Sequence, residues 1–122
     1  MPAQKSSFKE DVLSEVISRD QSLVRGRPYS VSTLLQQARE TWGYHKGEAE
    51  KTAIRYNLRG KKLEPEKFIC HGLVAQVRDK AEWWRQRVKL LEEFRRNGIE
   101  TVKLVTKQGK SGLVMVLEPV NA

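Results

Sequence analysis

Cysteine occurs once in this 122-residue chain, at Cys70, and histidine twice, at His45 and His71. One cysteine cannot close a disulfide within the chain, so nothing marks an oxidising compartment. Together these three residues are too few, and too poorly spaced, for a zinc site. Cys70 and His71 are adjacent, and adjacent side chains diverge on a helix. A Cys–His nucleophile would need the fold to bring His45 to Cys70, with a third group to orient it. A half-buried structural thiol is the simpler reading. Glu64 and Glu66 flank Pro65 and read as acids near a helix N-terminus rather than as a metal pair. Neither Gly43 to Gly47 nor Gly109 to Gly112 matches a P-loop. With no acid–base or metal constellation, no enzyme, no metal and no cofactor is expected.

Long apolar runs are also missing. No stretch approaches the roughly 18–20 apolar residues that span a bilayer, and Met1 to Glu10 contain no signal-peptide core. A membrane partner is not expected. The expected compartment is the cytoplasm, or the nucleus in a eukaryote.

What the chain does have is positive charge. Lys and Arg number 23 against 15 Asp and Glu, a net charge of +8. Residues 1–42 hold 6 basic and 5 acidic side chains, and residues 43–122 hold 17 and 10. Nearly the whole surplus therefore lies after residue 42. Such an asymmetry suits a polyanionic partner, of which nucleic acid is the commonest.

Apolar spacing predicts a folded α+β protein, mainly α, as one domain over residues 1–122. Four helices are expected. The first, about 7–19, presents Phe8, Val12, Leu13, Val16 and Ile17 on one face. The second, about 31–42, is capped by Ser30 or Ser32 and buries Val31, Leu34, Leu35, Ala38 and Trp42. A turn at Tyr44 to Gly47 separates it from a third helix, about 48–59, closed by Gly60. A long fourth helix, about 65–97, carries Leu73, Val77, Ala81, Trp84, Val88 and Leu91 at coiled-coil spacing and stops at Asn97-Gly98, unless it breaks near Gly72 or Asp79. The end of the chain, residues 100–118, changes period. Thr101 to Thr106 and Leu113 to Leu117 read as a β-hairpin around a loop from Lys107 to Gly112. The expected core is Val12, Val16, Leu34, Leu35, Ala38, Ile54, Leu73, Val77, Trp84, Val88 and Leu91.

Three constellations are candidates for binding. Residues 31–59 have the outline of a helix-turn-helix, whose second helix would present Lys51, Arg55 and Arg59 on successive turns. Lys46, Thr52, Lys61 and Lys62 extend this set. Its cations would follow phosphates, with Arg55 placed to read a base edge. The alternative is a solvated basic helix face. The second constellation is the hairpin, with Lys103, Lys107 and Lys110. Helices, a turn and a late hairpin together resemble a winged helix in outline, although the long fourth helix departs from that plan. The third is Trp83-Trp84 with Arg85 and Arg87. Trp84 fits the core seam, and Trp83 at its border could stack on bases or anchor an interface.

The expected function is non-enzymatic binding of nucleic acid, preferentially double-stranded DNA. Two alternatives stand beside it: a module that assembles through the long helix or docks on an acidic protein, and a binder of single strands or RNA. A homodimer is expected, joined at least partly through Val77, Ala81, Trp84, Val88 and Leu91, since a seam this long exceeds what a small domain readily covers.

Overall fold

A computed structural model describes residues 23–110 and 112–120. The helix expected at 7–19, with its core residues Val12 and Val16, lies outside the described residues. Those described form a mixed α/β domain with two helices, not four, and a three-stranded antiparallel sheet. The order is β1 (Pro28–Ser30), α1 (Val31–Arg55), α2 (Ile69–Arg96), β2 (Thr101–Gly109) and β3 (Gly112–Pro119). Neither helix is long and apolar enough to cross a membrane.

The main correction concerns residues 43–47, which are helical, so the second and third expected helices are one 25-residue helix. The predicted turn rested on Gly43 and Gly47, each of which costs a helix about 1 kcal/mol relative to Ala. The apolar stripe decides otherwise. Val31, Leu34, Leu35, Ala38, His45, Ala49 and Ala53 are all buried, at intervals that keep helical phase across both glycines. A turn would rotate the second half of this stripe away from α2. The helix-turn-helix outline at 31–59 is therefore absent, and with it the helix–turn–helix part of the winged-helix outline.

Both helices end by the same local device. Asn57 takes φ 57° and Gly98 takes φ 76°. Beyond Asn57, the Leu58 N–H reaches the Ala53 carbonyl at 2.8 Å and the Asn57 N–H reaches Ile54 at 3.0 Å. Beyond Gly98, the Ile99 N–H reaches Phe94 at 2.9 Å and the Gly98 N–H reaches Arg95 at 3.1 Å. These are Schellman closures, which satisfy the last carbonyls and fold an apolar residue back onto the helix. Leu58 accordingly packs with Ala53 and Val74 in a small second core. The helix thus stops before the predicted Gly60. At the other end of α1, the Ser30 hydroxyl accepts from the Thr33 N–H at 3.4 Å, so Ser30 is the cap.

The long helix spans 28 residues and does not break at Gly72 or Asp79. It begins at Ile69, later than the expected start near residue 65. The main core joins α1, α2 and the sheet: Leu34, Leu35, Ala38, Val88 and Leu91 are buried with Val102, Leu104 and Leu117. Trp84 packs against this cluster. Leu73 and Val77 are half-buried, while their neighbour Val74 is fully buried. Ile54 is 57% exposed, a second correction. In the continuous helix it is Ala53 that faces α2. The seam proposed for a dimer is thus largely occupied at Val88 and Leu91 within one chain.

The strand order is β1-β2-β3. Three-residue β1 escapes sequence reading because it is too short to alternate. It pairs Pro28 with Lys103 and Ser30 with Thr101 on the edge of the sheet, where a proline is tolerated. The hairpin pairs through Gly109 and Gly112. Its ladder therefore runs through the segment expected as loop, and Gly112 turns the chain at φ 123°.

Replacing Gly43 or Gly47 by Ala tests the continuous helix. Neither glycine has positive φ, and an added Cβ meets no atom within 4 Å at either. Each substitution should stabilise the fold by about 0.5–1 kcal/mol, read as a higher urea midpoint. A loss of stability at both positions would contradict helix across residues 43–47.

Candidate functional site

The predicted binding residues fall into three groups along the two antiparallel helices. Lys51, Thr52, Arg55, Arg59, Lys61 and Lys62 gather at the tip where α1 passes through the connector 56–68 into α2. Lys46, Trp83, Arg85 and Arg87 lie along the middle. Lys103 and Lys107 lie in β2 at the far end, and Lys110 in the turn that joins it to β3. At 1.5 Å per residue, Val31 beside the sheet and Arg55 at the tip are about 36 Å apart along α1. The helix thus separates the first group from the third.

Many of these cations are already engaged. Arg59 Nε lies 2.8 Å from Glu50, Lys51 Nζ 3.8 Å from Glu48, and Arg85 2.9 Å from Glu82. Lys107 pairs with Glu118. The Thr52 hydroxyl donates to the Glu48 carbonyl at 2.7 Å, one turn back in its own helix. Lys46 lies over the Trp42 ring at 5.4 Å. Arg55, Lys61, Lys62, Lys103 and Lys110 have no ion pair among the described residues. Arg55, Lys61, Lys62 and Lys110 are also exposed.

The paired tryptophans are less available than their sequence suggested. Both are half-buried, and their rings meet edge to face at 4.9 Å. The Arg87 guanidinium lies 4.7 Å over the Trp83 ring, covering one of its faces. Exposed aromatics occur instead at Tyr44 in the middle of α1 and at the tip, in Tyr56 and Phe68, beside exposed Ile54 and Ile69. Apolar spacing places Ile54 in the core. The only sequence signal for the others was apolar residues set among the cations of the connector.

His71 and Cys70 serve the connector. The His71 Nδ1 accepts from the Glu64 N–H at 2.8 Å, and its ring lies 4.8 Å from Phe68. Cys70 packs against the Ala53, Leu58 and Val74 cluster. His45 is buried in α1. Among the described residues no three His, Cys, Asp or Glu side chains are placed to hold a metal.

Between α1 and α2 lies a groove of about 410 Å³. Lys46, Arg78 and Arg85 line it together with Glu50 and Glu82. Its charges alternate in sign, so it does not present a single-sign anion site. Glu82 accepts from Gln86 at 2.8 Å and from Arg85 at 2.9 Å. Its carboxyl is held below the ordinary glutamate value, by the Gln86 hydrogen bond first and by Arg85 and Lys89 in addition. Glu82 therefore supports the fold above its unfolded-state pKa, and this support is lost as pH falls through the depressed value. Solvent screening at this exposed position keeps the effect small. Carboxyl NMR titration should place Glu82 below the ordinary glutamate value, and Gln86→Ala should move it back up. An unchanged titration in Gln86→Ala would remove the assigned cause.

Compared with known proteins, the chain matches no family model, no curated protein and no solved structure.

Proposed function

We propose that this protein binds nucleic acid without catalysis, gripping the phosphate backbone of a duplex with the tip of its helical hairpin. One observation carries the reading. Residues 51–67 contain six cations, Lys51, Arg55, Arg59, Lys61, Lys62 and Lys67, against Glu64 and Glu66, and Arg55, Lys61 and Lys62 are exposed without an ion-pair partner among the described residues. Lys51 and Arg59 reach carboxylates on α1, but exposed pairs of this kind contribute only about 0–1 kcal/mol. A phosphate can compete for both.

The mode is backbone contact. A base-reading role for Arg55 depended on a short helix entering a groove, and Arg55 instead closes a 25-residue helix. Binding of this type is insensitive to sequence and steeply sensitive to salt. Duplex DNA should bind at low salt. The triple substitution Arg55→Ala, Lys61→Ala and Lys62→Ala should reduce the magnitude of the log–log salt slope by about 2.7, from about 0.9 per phosphate contact. It should leave the unfolding midpoint nearly unchanged, because exposed substitutions cost little. No duplex binding at low salt would overturn the reading.

A second reading rests on the same tip. Ile69 is 78% exposed, and Ile54, Tyr56 and Phe68 are exposed with it. Aliphatic side chains add nothing to a phosphate contact. They do suit a protein partner whose acidic rim surrounds an apolar centre. Ile54→Ser with Ile69→Ser separates the two: duplex affinity should be unaffected, whereas docking on an acidic protein should be lost.

A further inference from the structure

The outer edge of β3 is an open strand. It has no partner strand among the described residues. The other edge of the sheet, β1, has only three residues and leads directly into α1. Edge strands are commonly protected by short length, by charged side chains or by a bulge. β3 has eight residues and reads Gly-Leu-Val-Met-Val-Leu-Glu-Pro. Its one charge, Glu118, is held by Lys107 on the neighbouring strand. Leu113 is 73% exposed and Val114 is 45% exposed, on opposite faces of the strand.

Backbone geometry states which groups are available. The Val120 N–H donates to the Thr101 carbonyl at 2.9 Å. With Val102 opposite Pro119, the antiparallel alternation directs residues 112, 114, 116 and 118 toward β2. The Val31 N–H to Glu100 carbonyl bond on the β1 side has the same phase. The N–H and C=O groups of Leu113, Met115 and Leu117 therefore point away from the sheet. Pro119 has no N–H and closes this row at its end.

We propose that β3 pairs with β3 of a second copy of the chain, antiparallel, about a twofold axis at Met115. In this register Leu113 bonds with the partner's Leu117, and Met115 with the partner's Met115. Every outward N–H of β3 finds an acceptor, and none depends on Pro119. The side chains match as well. Exposed Leu113 lies beside the partner's Leu117 on the face that bears the core, and exposed Val114 lies beside the partner's Val116 on the other. Glu118 faces the partner's Gly112, so no like charges meet. A shift that places Met115 opposite the partner's Leu117 would set Val114 beside Glu118 and pair Leu113 with Pro119, losing a donor. Two three-stranded sheets thereby become one continuous sheet with closed twofold symmetry. This dimer differs from the helix-seam dimer expected from sequence, and it does not rest on nucleic-acid binding.

Light scattering of the wild-type chain against concentration should show the mass rise from one chain toward two. The double variant Leu113→Lys and Val114→Lys should keep the mass of one chain, with an unchanged circular dichroism spectrum, since both side chains are exposed. Residue pairs at hydrogen-bonded positions lie about 5.5 Å apart between Cα atoms, within disulfide range. In a Cys70→Ser background, Met115→Cys should therefore cross-link to a covalent dimer under mild oxidation, and Val114→Cys should not. A wild-type mass of one chain at all concentrations would overturn the proposal. So would a dimer that survives the lysine variant, or cross-linking at position 114 in place of 115.

Discussion

The unbroken apolar stripe of α1 is the constraint on which the rest of the molecule depends. Gly43 and Gly47 together oppose helix by about 2 kcal/mol. Burying one Val or Leu side chain contributes about 1.5–3 kcal/mol, and helix continuity keeps Leu58 and Val74 buried together with Ala49 and Ala53. The stripe prevails because it is shared: α2 supplies Val74, Val88 and Leu91 to the opposite side. If the chain turned at residues 43–47, Ala49 and Ala53 would leave α2, and Leu58 and Val74 would lose the cover of the second cluster. Continuous helix therefore determines where the connector begins, and so where its cations sit.

Features specified by neighbouring residues were legible in the sequence. The Ser30 cap, the stop at Asn97-Gly98, the C-terminal hairpin and the buried Leu34, Leu35, Ala38, Val88 and Leu91 all follow from spacing or from one turn of chain. Features that depend on distant partners were not. β1 exists because Thr101 to Lys103 lies beside it, and no alternation in three residues could announce it. Glycine propensity suggested a turn at residues 43–47 that packing overrides. Ile54 was placed inside because a separate third helix could rotate freely, whereas the phase inherited from Val31 puts Ala53 inward.

For the candidate site the division is similar. Residue type supports only the expectation of an anionic partner, and availability could not be read. Glu50 and Arg59 are joined only because the chain reverses beyond Asn57, and Lys107, read as a loop residue, is instead a β2 residue ion-paired with Glu118 on β3. Trp83 reads from sequence as a border residue of the seam that could stack on bases or anchor an interface, and Arg87, one turn on, lies over its ring. The sequence identified the cations; the fold decides which of them remain for a partner.

The location of the surplus has an energetic meaning. The tip carries Arg55, Lys61 and Lys62 with no ion pair among the described residues, yet its core consists of Ala53, Leu58 and Val74, with Leu63 and Cys70 against it. Mutual repulsion therefore acts where packing is slightest, and an anion there would relieve it. The sheet, at the opposite end, has the larger core and the apolar strand edge. Pairing through β3 would join two chains at the ends remote from their tips, leaving both cationic tips uncovered. The proposed self-association and the proposed anion binding would thus draw on different ends of the molecule, about the length of α1 apart. Occupying one leaves the other sterically free, so any coupling between them would have to pass through the α1–α2 interface.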